Sequence, residues 1–439
     1  MALKSREKKT KRRKPEKRRE IKWDKLDNTA HLFPVIAGEG MSNVYRVCAV
    51  LKEEIKPELL QKALDLVLPQ FSVFNSRLRQ GMFWYYFEEN GKKAPRVVEE
   101  NTYPCQYIDS GKNRSYMFRV TYYKMRINLE VFHVLTDGMG AFNFLKELTY
   151  QYLRLSHQEL GRQMGDELSV ETSLNTADSF LENYRKSTSK NYHSQRAYLL
   201  KGPVFEQGKM GLLHGFMPVS QLKEKAGQYH ASINEYLIAV LLFSIYKENL
   251  HGMPGKEPVT TCVPVNLRPY FNSETTKNFF AVITAVFRPE REDQTFQEVI
   301  TSVQESLKDQ LTREHLEEVI SYNVSNEKNL MLRAVPLFLK KPAMRYVYDM
   351  AARANTTTVT NLGNIKVLPE YEPFIEQFYA FLSRSKGQNL KGCICSYQDT
   401  LVFTFSSVLK DSSLQKYFFR YLASEGIAVR IESNGVYYE

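Results

Sequence analysis

Residues 130–140 read EVFHVLTDGMG, and this stretch decides how the chain is read. The run before it, YMFRVTYYKMRINLEVFHV (116–134), is aromatic and β-branched, the composition of a hairpin whose last strand ends near His133. The run after it carries Phe142, Leu145, Leu148 and Tyr152 as an apolar stripe at helical spacing. His133, Asp137 and Gly138 therefore form H-x-x-x-D-G at a strand-to-helix junction, where a side chain can project into a cleft. Gly138 is expected to let the chain turn sharply into the helix, and Gly140 to permit close packing.

Outward from this junction, strands and helices alternate in both directions. Towards the N-terminus, VYRVCAVLKEEI (44–55) and GMFWYYFEE (81–89) read as strands. Between them PELLQKALDLVLPQF (57–71) reads as a helix with Pro57 in its first turn. Residues 155–200 are polar and poorly periodic, as a crossover between domains would be. Beyond them the pattern predicts helices near 233–247, 294–311, 335–353 and 412–424. It predicts strands at 260–267, 279–288, 357–361, 390–397, 400–407 and 427–432. Alternation of this kind is an α/β (α+β) pattern, and 439 residues exceed one compact core, which predicts two domains.

Composition narrows the function classes. Hydrophobic residues make up 43% of the chain and aromatics 13%, enough for buried cores. The net charge of +11 sits mostly in residues 1–20, which hold eleven Lys/Arg against three Glu, so the body is nearly neutral. That tail reads as a disordered solubilising arm able to touch anionic surfaces, and no nucleic-acid role is expected of it. Five irregularly spaced cysteines give neither a disulfide framework nor a zinc site, and reduced thiols in a cytoplasmic protein are the simplest account. The longest apolar run, YLIAVLLFSIY (236–246), is about half of what crosses a bilayer and reads as a core helix. No phosphate-binding glycine loop, dinucleotide motif or metal-ligand spacing is present in the sequence.

Four stretches together resemble the CoA-dependent acyltransferase superfamily, which includes alcohol acetyltransferases, chloramphenicol acetyltransferase, plant BAHD acyltransferases and peptide-synthetase condensation domains. EVFHVLTDGMG matches its HxxxDG motif. FSVFNSRLRQG (71–81) is similar to the family's early segment, and VPVNLRP (263–269) with Asn278 and Phe279 to its N-x-R … N-F region. TVTNLGNI (358–365) looks like the S-N-L-G segment of alcohol acetyltransferases. The resemblance spans about residues 25–435.

What it implies is specific. The fold would be two chloramphenicol-acetyltransferase-like lobes, each a mixed sheet flanked by helices, with a tunnel between them. The divisions would be a basic tail (1–22), an N-terminal lobe with the crossover (23–200) and a C-terminal lobe (201–439). The activity would be acyl transfer from acyl-CoA, as co-substrate, to an alcohol. His133 would act as general base without an acyl-enzyme, a role suited to a neutral imidazole. Asp137 would pair with an arginine, Arg268 being favoured over Arg77 and Arg79. Thr358, Thr360 and Asn361 are the candidate donors to the oxyanion and substrate. No metal or permanently bound cofactor is implied, and a monomer is expected. The alternatives are transfer from an acyl carrier protein or to an amine, and a non-catalytic binding protein that retains the fold.

Two residues depart from the family pattern. Phe132 stands where many condensation domains carry a second histidine, which favours ester or simple amide formation over peptide synthesis. Lys277 stands where a glycine often precedes the asparagine.

Overall fold

The computed structural model describes residues 22–164, 167–186, 195–329 and 333–438, so all of the basic tail but Lys22 lies outside the described residues. Two sheets form the frame. The first has five strands in the order β12 (Ile375–Leu382), β2 (Val44–Leu51), β7 (Arg126–Phe132), β6 (Phe118–Tyr123) and β5 (Val98–Glu99). All its pairings are antiparallel except the parallel edge β6–β5. The second has seven strands in the order β10 (Phe280–Phe287), β9 (Val259–Asn266), β11 (Thr357–Asn364), β13 (Leu390–Tyr397), β14 (Thr400–Ser407), β8 (Gly211–Pro218) and β15 (Arg430–Ser433). Its centre is parallel at β9–β11–β13 and its flanks are antiparallel. A small antiparallel sheet of β1 (Trp23–Lys25), β4 (Tyr85–Glu89) and β3 (Ser76–Gln80) stands apart.

Each large sheet has its own core. In the first lobe the helix Gly138–Ser156 lays its apolar stripe on β2 and β7 and packs against the helix Pro57–Val67. Phe144 stacks on Phe74 at 4.0 Å between ring centroids, and Phe71 and Phe118 meet it edge-on at 5.0 and 5.6 Å. In the second lobe the helix Ile233–Asn249 is buried on every side from Tyr236 to Tyr246, which is why its sequence is apolar without a polar face. A reciprocal cap opens it: the Ser232 hydroxyl accepts from Glu235 N, and the Glu235 carboxylate accepts from Ser232 N. Among the described residues no helix is long and apolar enough to cross a membrane.

The strand that joins the lobes comes from an unexpected part of the chain. β12, at residues 375–382, pairs with β2 along Leu51–Tyr45 and so completes the sheet of the first half. Its other face packs on β13 and β14 of the seven-stranded sheet. Tyr379 lies 4.5 Å from the His214 ring, Phe378 lies 5.3 Å from Tyr397, and Ser406 Oγ donates to the Leu382 carbonyl at 2.7 Å. Because nearly all of IEQFYAFL is buried, it lacks the alternation that marks a half-exposed strand. The strand β8, GLLHGFMP, is broken in pattern by its glycines. Gly215 is required there, since a Cβ would sit 2.1 Å from the Phe419 ring.

A charged row inside the first sheet fixes its register. Arg46 on β2 and Arg119 on β6 stand directly opposite Glu130 on β7 and both bind its carboxylate. A one-residue slip would separate these partners and bury their charges unpaired.

Phe144→Ala should lower stability by about 3–5 kcal/mol, because the stacked cluster cannot collapse around the void. Equilibrium urea unfolding checks this, and a loss below ~1 kcal/mol would show the cluster to be loosely packed.

Candidate active site

β7 ends at Phe132, and the chain then leaves the first sheet through His133–Asp137 towards the second lobe. The His133 amide is held by the Asn43 carbonyl at 3.0 Å, which anchors the start of this loop. Asp137 is the N-cap of the following helix, its Oδ1 accepting from Gly140 N at 3.1 Å. Gly138 begins that helix with an ordinary negative φ, so the turn does not need glycine's freedom. What glycine supplies is room at Gly140, where a Cβ would meet the Thr276 backbone carbonyl at 2.4 Å, whereas one on Gly138 would meet only the movable tip of the Leu362 side chain.

The Asp137 carboxylate is fully occupied. Oδ2 accepts from Arg268 Nη1 at 2.8 Å and from Phe279 N at 2.9 Å, and Oδ1 accepts from Arg268 Nη2 at 3.1 Å besides Gly140 N. Arg268 is equally committed. Its Nε donates to the Thr275 carbonyl, Nη1 also to Asn266 Oδ1, and Nη2 also to the Lys277 carbonyl, at 2.9, 3.1 and 2.7 Å. All five guanidinium donors are thus placed, and the pair clamps the His133 loop onto β9 and β10 of the other lobe. Arg77 and Arg79 are elsewhere: both bind Glu88 in the small sheet at 2.7 Å.

His133 itself is gripped by rings and by one amide. Phe33 stacks on it at 4.4 Å with the planes 16° apart, and Tyr45 and Phe280 tilt against it at 4.9 and 5.8 Å. Its Nδ1 lies 3.1 Å from Asn278 Oδ1. The Asn278 amide is oriented in turn, because its Nδ2 donates to Asp27 Oδ2 at 2.9 Å and a carboxylate can only accept. Oδ1 therefore faces the ring, so Nδ1 must carry the imidazole proton and Nε2 must carry the lone pair.

Burial, the largest influence, lowers the His133 pKa below the ordinary imidazole value, and the positive charge of Lys391 acts in the same direction. Hydrogen bonds to its own carbonyl and to Asn278, and the charge of Asp137, oppose this without reversing it. Asp27 is buried and its pKa is pushed up to about 6, with four donors (Thr29 Oγ1, Ala30 N, Asn278 N and Asn278 Nδ2) holding the charged form. Asp27 carries no motif that sequence reading could seize on. A lone aspartate before Asn-Thr reads as an ordinary capping or turn residue.

The ring faces a cavity of about 550 Å³ between the two lobes. From the first lobe Val44, Tyr45 and His133 line it, and from the second Pro264, Phe280 and Val282. Thr358, Thr360 and Asn361 all reach it from β11. Thr358 Oγ1 already donates to Gln388 Oε1 at 2.7 Å, and Asn361 Nδ2 to Asn234 Oδ1 at 3.2 Å. The Thr360 hydroxyl has no hydrogen-bond partner among the described residues. Asn361 Oδ1 also accepts from Gly363 N at 2.8 Å, where the chain takes a φ of +72° that suits glycine. Among the described residues no group of histidine, cysteine or carboxylate side chains could hold a metal ion.

No protein-family model matches the sequence, and no curated protein matches it. Solved structures do match in fold. The Mycobacterium tuberculosis polyketide synthase associated protein 5 superposes with a TM-score of 0.59 at 13% identity, covering 91% of this chain and 96% of that one. The first condensation domain of the calcium-dependent antibiotic synthetase, solved with a substrate analogue, gives 0.57 at 13% identity over 92% and 96%. F. sporotrichioides TRI101, solved with coenzyme A and T-2, gives 0.57 at 10% identity over 93% and 99%. The chain shares its fold with these proteins, the condensation domain and TRI101 among them. Both lobes take part in that match, since it spans nearly the whole chain.

Asp137→Ala and Arg268→Met should each cost about 3–5 kcal/mol, since either change strands a charge at the seam. The double variant should lose clearly less than the sum. A double-mutant cycle by urea unfolding measures this, and strictly additive losses would show that the two residues act independently.

Proposed function

We propose that the chain is an acyltransferase that moves an acyl group from acyl-CoA to an alcohol, with His133 as general base and no acyl-enzyme. The observation that carries this reading is an imidazole that lines an interlobe cavity with its Nδ1 engaged by Asn278, which leaves Nε2 free to act. A neutral alcohol is a poor nucleophile, and a base in hydrogen-bond reach raises its reactivity as the new bond forms.

In this reading Nε2 takes the hydroxyl proton while the oxygen attacks the thioester carbonyl. The carbonyl π-electrons move onto oxygen, and the Thr360 hydroxyl is the donor we assign to that oxyanion. When the oxyanion collapses, the C–S bond breaks and the imidazolium returns its proton to the departing thiolate. The ring thus ends neutral, as it began. Asp137 takes no proton, because its four acceptor positions are filled; it holds the loop. Asn278 and Asp27 hold the tautomer and the ring angle. The fold shared with a protein solved with coenzyme A supports a thioester donor of that kind.

A carrier-protein thioester is the second reading, since condensation domains share the fold. Phe132, in place of the second histidine of many condensation domains, weighs against peptide-forming chemistry.

His133→Ala should fold normally, bind acyl-CoA and lose transfer by a factor of about 10²–10⁴, read as free-thiol release. Undiminished release would remove His133 from the role of base. The acid limb of kcat/KM has a definite sign. Activity needs the neutral ring, so it falls as pH drops through the His133 pKa, which burial holds below the ordinary value. Half-activity should therefore lie below about pH 6.5, and an acid limb centred above pH 7 would contradict the assignment.

A further inference from the structure

Four permanently or potentially cationic side chains besides His133 line the cavity: Arg46, Arg268, Lys386 and Lys391. Three are neutralised within the protein. Arg46 pairs with Glu100 and Glu130, Arg268 with Asp137 at 2.8 Å, and Lys386 with Asp349 at 2.5 Å. Lys391 is different. It is only 7% exposed, yet it has no carboxylate within ion-pair distance among the described residues. Its Nζ donates to the Ser385 hydroxyl. The titratable neighbours that act on it are two thiols, Cys262 and Cys105, whose pKa values burial raises, so neither offers a counter-charge at neutral pH. Desolvation is the dominant influence on the ammonium and brings its pKa down to about 8.

Strand register places this charge. Lys391 on β13 stands beside Thr358 on β11, two residues from Cys393, on the cavity floor that also carries Thr360 and Cys262. Gln388 and Ser385 line the cavity near it. A buried, unneutralised ammonium is costly and is retained where something else supplies the counter-charge. One ammonium among neutral hydroxyl, amide and thiol groups suits a single negative charge. A phosphate dianion would call for more than one cation.

We propose that Lys391 is the receptor for a carboxylate carried by one of the two substrates, so that the enzyme transfers a dicarboxylic half-thioester or acylates a hydroxy acid. This rests on the acyltransferase reading for the word substrate, but the binding it predicts is independent of turnover. The carboxylate would sit on Nζ beside Ser385 and Gln388. The acyl carbon or the hydroxyl of the same molecule would reach towards His133, whose pKa already registers the Lys391 charge.

Calorimetric titration of the full chain with two matched pairs tests this and tells the sources apart. Succinyl-CoA against butyryl-CoA probes a carboxylate on the donor. 3-Hydroxybutyrate against its methyl ester probes one on the acceptor. The carboxylate member of one pair should bind at least about tenfold more tightly, and Lys391→Met should erase that preference. Equal affinity within both pairs, no detectable binding by either carboxylate probe, or a preference that survives Lys391→Met would each overturn the proposal. Thermal unfolding of the ligand-free variant gives a second readout. Methionine fills the space without the desolvation cost, so its Tm should exceed that of the wild type, whereas a lower Tm would show the ammonium to be satisfied by the protein alone. Absence of thiol release with every pair, together with the predicted binding, would refute the acyltransferase reading and leave the carboxylate site standing.

Discussion

The bond between Asp137 and Arg268 is the constraint on which the rest of the site depends. One carboxylate receives two guanidinium donors, the amide of its own helix and the amide of Phe279 on the far lobe. A helix cap, an ion pair and a strand entry are therefore a single structure. It ties the chain that leaves β7 to β9 and β10, and so sets where His133 emerges between the lobes. β12 does the same on another side of the interface, hydrogen-bonded into one sheet while packed on the other. Two hydrophobic cores are thus joined across one interface, with the cavity between the lobes.

Within that frame the chemistry is a matter of which nitrogen holds a proton. Asp27 points the Asn278 amide, Asn278 fixes the imidazole tautomer, and three aromatic rings fix the imidazole plane. Burial then keeps the ring neutral. In the proposed role of base, a ring held in this way would lose little freedom on acting, which is the preorganisation that makes a proton transfer effective.

Much of this was legible in the sequence, and the rest was hidden for identifiable reasons. The hairpin before His133 and the helix after it follow from β-branched and helical patterns that are local. The Asp137–Arg268 contact spans 131 residues, and only the resemblance singled out Arg268 over Arg77 and Arg79. β12 was missed because a strand buried on both faces shows no alternation, and β8 because glycines and a histidine break its pattern. The turn at Gly138 needs no positive φ, and the firm steric demand for glycine falls at Gly140, against the Thr276 carbonyl. Asp27 and Lys391 carried no signal, since each acts through neighbours more than 100 residues away along the chain or through the absence of a partner. Of the three candidate donors on β11, hydrogen bonds to Gln388 and Asn234 occupy two, a distinction that needs side-chain geometry.

The central claim is that a neutral His133 presents a bare Nε2 to the cavity. Nitrogen-15 NMR of the imidazole side chains at pH 7, with His133 assigned through His133→Gln, tests it most directly. The account predicts a protonated Nδ1 and an unprotonated Nε2. A proton on Nε2, or a doubly protonated ring, would contradict it.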